Sequence, residues 1–461
     1  MYEHLLNGEK IRKESFIADD SSTIRSGPGL SGFNPAVAYK SDNLPSETSS
    51  IYYQAAQHRS YEACSRLIRL AENGDVFAQG FVMRMHALGQ GNFPKDVTKA
   101  SEIAKKIFLT LKEVVRSKSE DHACYAAYLL GVCYSEGLAQ EKNMKEAIKW
   151  YKRAAHAGYD AAQAYVGFCL YAGNGIVKNR VEAVKWYKVS AAQGYAPAQT
   201  NLGICYEFGE GVTRSFDEAV RWYRLAADQS DATAQYNLGH CYEIGLGVPR
   251  NIIKAVEYYH DAAELNNAAA QHALACLYST GCKEVERDVE EAYRLFKQSA
   301  DQGFAEAQCK LGLVYENGMG TSVDLKEAVK YYRLSANQGN AAALYYLGYC
   351  YFNGIGVNQD PSTAVKLYYK AAMKEYPAAQ NNLGFCYFVG AGITKNYDEA
   401  LRWYRKAAEH GYAAAQFNLG YCYEKGYGVN QKMQDMLKWY QLAAARGHTK
   451  AIAKLQEIKK M

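Results

Sequence analysis

Two apolar patterns alternate along residues 123–447, and both have the period of an α-helix. In residues 231–245 (DATAQYNLGHCYEIG) the apolar positions Ala234, Leu238 and Tyr242 stand four apart, on one helical face. In residues 397–411 (YDEALRWYRKAAEHG) the stripe is broader: Ala400, Trp403, Tyr404, Ala407 and Ala408, with Glu, Arg and Lys on the other side. All five tryptophans (Trp150, Trp186, Trp222, Trp403, Trp439) share one phase of this second pattern, which is read as core. A sustained period of two appears nowhere, so the pattern predicts an all-α protein.

The helix pair recurs. Gly131, Gly167, Gly203 and Gly239, then Ala275 in the same slot, then Gly312, Gly348, Gly384 and Gly420 are 36 residues apart, except for 37 between 275 and 312. Nine units therefore fill 123–447, and such a period signals stacked repeats. The glycine lies beside the apolar stripe, where a missing side chain lets a neighbouring helix approach. Residues 60–122 read as a divergent N-terminal unit with Ala78-Gln79 in register and a lengthened second helix. Residues 448–461 read as a C-terminal capping helix, since an array must cover its terminal apolar face. The first 50 residues hold nine Ser, four Gly and three Pro with no periodicity, so residues 1–59 are expected to be a disordered tail.

Unit 195–230 carries Ala198, Leu202, Gly203, Tyr206, Gly209, Gly211 and Val212, then Glu218, Ala219, Trp222, Tyr223, Ala226 and Ala227. This A-x-x-x-L-G-x-x-Y-x-x-G-x-G-V and E-A-x-x-W-Y-x-x-A-A signature resembles the Sel-1-like repeat, a relative of the tetratricopeptide repeat. Unit 267–303 departs most, with Ala275 for the glycine and Cys282-Lys283 in the loop. The resemblance implies an α-solenoid superhelix that holds other proteins on its concave face and performs no chemistry itself. It also admits an alternative: a regulatory subunit or activator of a membrane-associated enzyme, of the ubiquitin-ligase adaptor or chitin synthase activator type.

Composition narrows the function class. A net charge of +5 is too small for a nucleic-acid footprint, and the aromatic stripes coincide with faces that must pack, so no nucleic-acid partner is expected. The N-terminus lacks the apolar run of a secretory signal, and no Asn-x-Ser/Thr acceptor occurs, so the cytoplasm is the expected compartment. The longest uncharged stretch, 334–359, contains Asn337, Gln338, Asn340 and Asn353 besides its glycines and is not expected to enter a membrane.

The remaining chemistry reads as structural. Seven of twelve cysteines (Cys133, Cys169, Cys205, Cys241, Cys350, Cys386, Cys422) follow the anchor glycine by two residues. No cysteine lies in a second helix beyond residue 123, so these are expected to be reduced packing residues. His272, Cys276, Cys282 and Cys309 form the one cluster resembling a metal site, but without a C-x-x-C pair no metal is expected. Seven G-x-G pairs such as Gly209/Gly211 follow helices, where glycine caps, and do not read as phosphate loops. No nucleophile–base arrangement recurs, and neither a catalytic residue nor a cofactor is predicted.

What is left is the first-helix face away from the stripe, two residues before and one after the anchor, roughly 120–180° from its centre. Two before stand Tyr165, Asn201, Asn237, Tyr346, Asn382 and Asn418; one after stand Tyr349, Phe385 and Tyr421. First helices line the concave surface of tetratricopeptide-like arrays. Asparagine there suits the backbone of an extended peptide, with aromatics as anchors. The same positions equally suit packing between adjacent first helices.

Overall fold

The computed structural model describes residues 61–89, 93–117 and 120–460, and the segment read as a tail lies outside them. Among the described residues there are 22 helices and no strand. They fall into two compact units, divided between Asn267 and Ala268.

In the first unit, α1 (Tyr61–Glu72) and α2 (Val76–Leu88) precede α3 (Val97–Arg116), whose 20 residues make it the long helix foreseen for the divergent segment. Helix pairs follow: α4 (Glu120–Glu136) with α5 (Met144–His156), α6 (Asp160–Ala172) with α7 (Arg180–Ala192), α8 (Ala196–Phe208) with α9 (Phe216–Ala227), and α10 (Ala232–Ile244) with α11 (Ile252–Glu264). The second unit repeats the arrangement with α12 (Ala268–Thr280) and α13 (Val289–Asp301), α14 (Ala305–Asn317) and α15 (Leu325–Asn337), and α16 (Ala341–Asn353) and α17 (Pro361–Ala372). It continues with α18 (Pro377–Val389) and α19 (Tyr397–Glu409), then α20 (Ala413–Lys425), α21 (Met433–Ala445) and α22 (Thr449–Lys460). The uncharged stretch 334–359 is cut by the turn between α15 and α16, and no described helix is long and apolar enough to cross a membrane.

Local signals set the ends. Most second helices begin at Asn, Ser or Asp whose side chain accepts from the backbone N–H three residues on, as Asn179 does from Glu182 and Asp324 from Glu327. First helices close on a left-handed glycine such as Gly209 (φ 70°). Its companion Gly211 does something different: a Cβ there would meet the Arg180 carbonyl oxygen of the preceding repeat at 2.3 Å. The first glycine of each pair ends the helix; the second lets the loop lie against the neighbouring backbone.

The anchor glycine has an equally concrete partner. A Cβ on Gly203 would meet the Tyr223 ring at 2.6 Å, and one on Gly384 would meet Tyr404 at 2.8 Å. The close approach is therefore by the second helix of the same repeat, through tyrosine twenty residues on. Tyr151, Tyr187, Tyr223, Tyr259, Tyr332, Tyr368, Tyr404 and Tyr440 are fully buried in this role, and Phe296 serves in the unit that has Ala275. This revises the sequence reading of the core: Trp222 is only half-buried, Trp403 alone of the tryptophans is buried, and the adjacent tyrosine is the centre.

Repeats are joined by a glutamine relay. Gln199 donates to the Ala191 carbonyl before it (3.2 Å) and accepts from Gln229 after it (2.8 Å). Gln163 with Gln193, Gln271 with Gln302 and Gln308 with Gln338 repeat the acceptor half of this arrangement. Where the residue thirty positions on is Leu265, His410 or Arg446, the oxygens of Gln235, Gln380 and Gln416 stay buried without a hydrogen bond.

Candidate functional site

The two positions singled out on the first helices have different fates. Two before the anchor, the side chain turns toward the core tyrosine of the preceding repeat. Tyr165 lies 4.3 Å from Tyr151 between ring centroids, Tyr346 stacks on Tyr332 at 5.4 Å, and Asn382 hydrogen-bonds Tyr368. Burial pushes the Tyr165 phenol well up from its ordinary range. Asn201, Asn237 and Asn418 are buried, at 7%, 4% and 9% exposure. Asn418 donates to Asn381 at 2.9 Å, and Asn381 lies against Asn382. Of the two readings of these positions, burial favours packing: at this angle the first helix meets the preceding repeat, and Asn201, Asn237 and Asn418 lie between repeats.

One after the anchor, Tyr349, Phe385 and Tyr421 are half-buried and hold the same register position on α16, α18 and α20. Phe385 packs edge-on against Phe352 (6.2 Å), and Phe388 against Tyr421 (6.5 Å). Tyr427, the middle residue of its G-x-G loop, lies 5.3 Å from Phe388 and stacks on Tyr397 at 5.1 Å, with Lys395 Nζ 4.7 Å from the Tyr397 ring. Helices α16 and α18 contain no charged residue. Phe352, Phe388 and Tyr427 were missed by the sequence reading. A signal was present: four residues past the anchor, four of the nine repeats hold a glutamate that accepts from the core tyrosine hydroxyl, as Glu207 does from Tyr223 at 2.6 Å, whereas 352 and 388 hold phenylalanine.

In the first unit the same slot holds ions. Glu210, the middle residue of its loop, accepts from the Tyr171 hydroxyl and pairs with Arg180 at 3.2 Å. Partial burial raises the Glu210 carboxyl.

The remaining candidates for chemistry are quiet. Burial lifts the thiols of Cys133, Cys169, Cys205, Cys386 and Cys422 to about 12, so they stay protonated and unreactive. None of the twelve cysteines is in a disulfide. His272 Nε2 lies 3.7 Å from Cys276 Sγ as helical spacing requires, Cys282 is exposed, and no group of three metal-binding side chains forms among the described residues. Its ring packs against Phe296 and Phe304.

The Sel1 repeat model matches nine consecutive segments, from 124–159 to 413–448, in register with the helix pairs above. The chain belongs to the Sel1 repeat family. Among solved Sel1 repeat structures, a protective antigen of uropathogenic Escherichia coli is 31% identical. The match covers 86% of this chain and 91% of that one, with a TM-score of 0.46. A Sel1 repeat protein of Oxalobacter formigenes is 30% identical over 68% of this chain and 90% of its own, with a TM-score of 0.48. A comparison with curated proteins finds no match. Sel1 repeats are generally protein-interaction modules, and protein partners are the class this family membership supports.

Proposed function

We propose that the protein is a non-catalytic scaffold that binds other proteins on the first-helix face of its Sel1 repeats, within the cytoplasm. The observation carrying this reading is the row of half-buried rings at Tyr349, Phe385 and Tyr421. Aromatic side chains supply large contact area at low entropic cost, and they stand here on the first helices of three successive repeats. Expression of tagged full-length chain, affinity capture and quantitative mass spectrometry test it. Partners enriched with the wild-type chain are expected to be depleted when Tyr349→Ser, Phe385→Ser and Tyr421→Ser are combined in a chain of unchanged helicity. Undiminished enrichment rejects this face as the binding surface.

A further inference from the structure

Positive charge on the second helices is concentrated in the N-terminal part of the first unit. Helices α3, α5 and α7 together carry twelve Lys and Arg against four Glu, whereas the seven second helices from α9 to α21 carry 14 against 13 acidic residues. The three basic helices lie side by side. Arg153 of α5 donates to the Val115 carbonyl of α3 at 2.8 Å, and His156 of α5 meets Trp186 of α7 edge-on at 5.3 Å. Part of the charge is engaged within the fold: Arg153 by that bond, Arg180 by Glu210, and Lys149 and Lys185 by Glu146 and Glu182 on their own helices. Lys105, Lys106 and Lys145 are exposed, and no described acidic group lies within ion-pair distance of them. Glu102 and Glu113 are the exposed acids of α3.

Apolar side chains protrude among these lysines, and they narrow the class of anion. Leu109, one turn past Lys105 and Lys106, is 70% exposed, while α3 buries Ala104, Ile107, Phe108 and Leu111 on its inner side. On α7, Val181 and Val189 are 58% and 50% exposed, one turn on either side of Lys185. Single-stranded nucleic acid needs exposed rings on which its bases stack, and Trp150 and Trp186 are half-buried. A protein partner is anchored by side chains clustered at the centre of a patch. Here Leu109 stands on α3 and the two valines on α7, with lysine-bearing α5 between them. An anionic bilayer takes scattered apolar tips between its headgroups, and lysine stems lie along that interface with their ammonium groups toward phosphate. No described helix is long and apolar enough to cross a membrane, so the contact is one of surfaces.

We infer that the outer side of α3, α5 and α7 docks onto an anionic phospholipid surface, through Lys105, Lys106 and Lys145 and the insertion of Leu109 and Val189. The surface lies on second helices, so it is separate from the first-helix face assigned to protein partners and does not depend on that assignment. A scaffold held this way brings the proteins it binds to the membrane surface.

The test is co-sedimentation of the full-length chain with vesicles of phosphatidylcholine, with and without about a third phosphatidylserine. Binding is expected to be at least about 10-fold tighter on the anionic vesicles at low salt, and to weaken at high salt. Combining Lys105→Glu, Lys106→Glu and Lys145→Glu should lower that affinity at least about 10-fold. Leu109→Ser with Val189→Ser, which leaves the charge unchanged, should lower it about 3- to 10-fold. The pair Lys366→Glu and Lys370→Glu, exposed on α17, should have little effect. All these positions are exposed, and circular dichroism checks that each variant keeps its helicity. Equal binding to both kinds of vesicle, or no binding to either, overturns the proposal. An α17 pair as damaging as the α3 and α5 reversals reduces the effect to net charge and overturns the assigned surface. Affinity unchanged by Leu109→Ser with Val189→Ser, or an RNA oligonucleotide bound as tightly and lost on the same charge reversals, overturns the lipid assignment.

Discussion

The loop of repeat 196–231 and the loop of repeat 413–448 put the same position into the same slot of the preceding repeat, with opposite chemistry. In the first, Glu210 reaches Tyr171 and Arg180; in the second, Tyr427 reaches Phe388 and Tyr397. The backbone around them does not change, because glycine caps, the second loop glycine and the glycine–tyrosine contact recur in both. The repeat therefore specifies a frame of helices, and its slots are free to diverge. An ionic slot fastens two repeats together, while an aromatic slot leaves half-buried rings with apolar area to offer.

The largest expected effect should be blind to this difference. Tyr223→Ala and Tyr404→Ala each empty a fully buried site, and each should cost roughly 3–5 kcal/mol by denaturant unfolding. A much smaller loss at either site would break the equivalence of the two frames.

The next separates the regions by pH. Asp160, buried at the first turn of α6, has its carboxyl lifted from 3.8 to about 7 by burial, and it accepts from the Ala161 N–H at 2.6 Å. The folded state thus keeps a proton that the unfolded chain releases near pH 4. This contribution is complete below that pH and is lost as pH rises through about 7. Asp160→Asn should raise stability above pH 7, by up to about 4 kcal/mol, and flatten the dependence between pH 4 and 7 in thermal melts. At the other end, burial lowers the His448 imidazole to about 4, so the cap it offers to Ala451 N–H is held above pH 6.5 and lost as pH falls through 4.

A smaller contrast lies in the tyrosine hydroxyls. Tyr223→Phe removes the bond to the buried Glu207 and should cost roughly 1–3 kcal/mol. Tyr404→Phe removes a buried hydroxyl without a hydrogen-bond partner and should be neutral or slightly stabilising. Equal losses in the two melts would show that the Glu207 bond adds nothing. Smallest of all, Glu210→Gln should change the melting free energy by under about 1 kcal/mol, because Arg180 remains 41% exposed.

Much of this was legible in the sequence, for a physical reason. Period, caps and anchor glycines are local signals that each repeat states again, so helix pairs and their boundaries emerge from 36 residues read nine times. The packing cysteines were readable because helical phase alone buries them. The site was less legible. Whether Asn201 faces solvent or the preceding repeat depends on how two helix pairs stack, which no single helix encodes. Trp222 and Tyr223 share a stripe, and only the contact with Gly203 shows which of them is the centre. Phe388 and Tyr427 lie 39 residues apart, in a helix and a loop, and meet only through stacking.

The central claim is that the C-terminal repeats, through their first helices, are where partners bind. Hydrogen–deuterium exchange of the full chain, alone and with the most abundant protein it captures, tests that claim directly. Slowed exchange is predicted in α16, α18 and α20 around Tyr349, Phe385 and Tyr421, with the first helices of residues 124–267 unchanged. Protection confined to the second helices, or to the repeats containing Glu210 and Arg180, would contradict it.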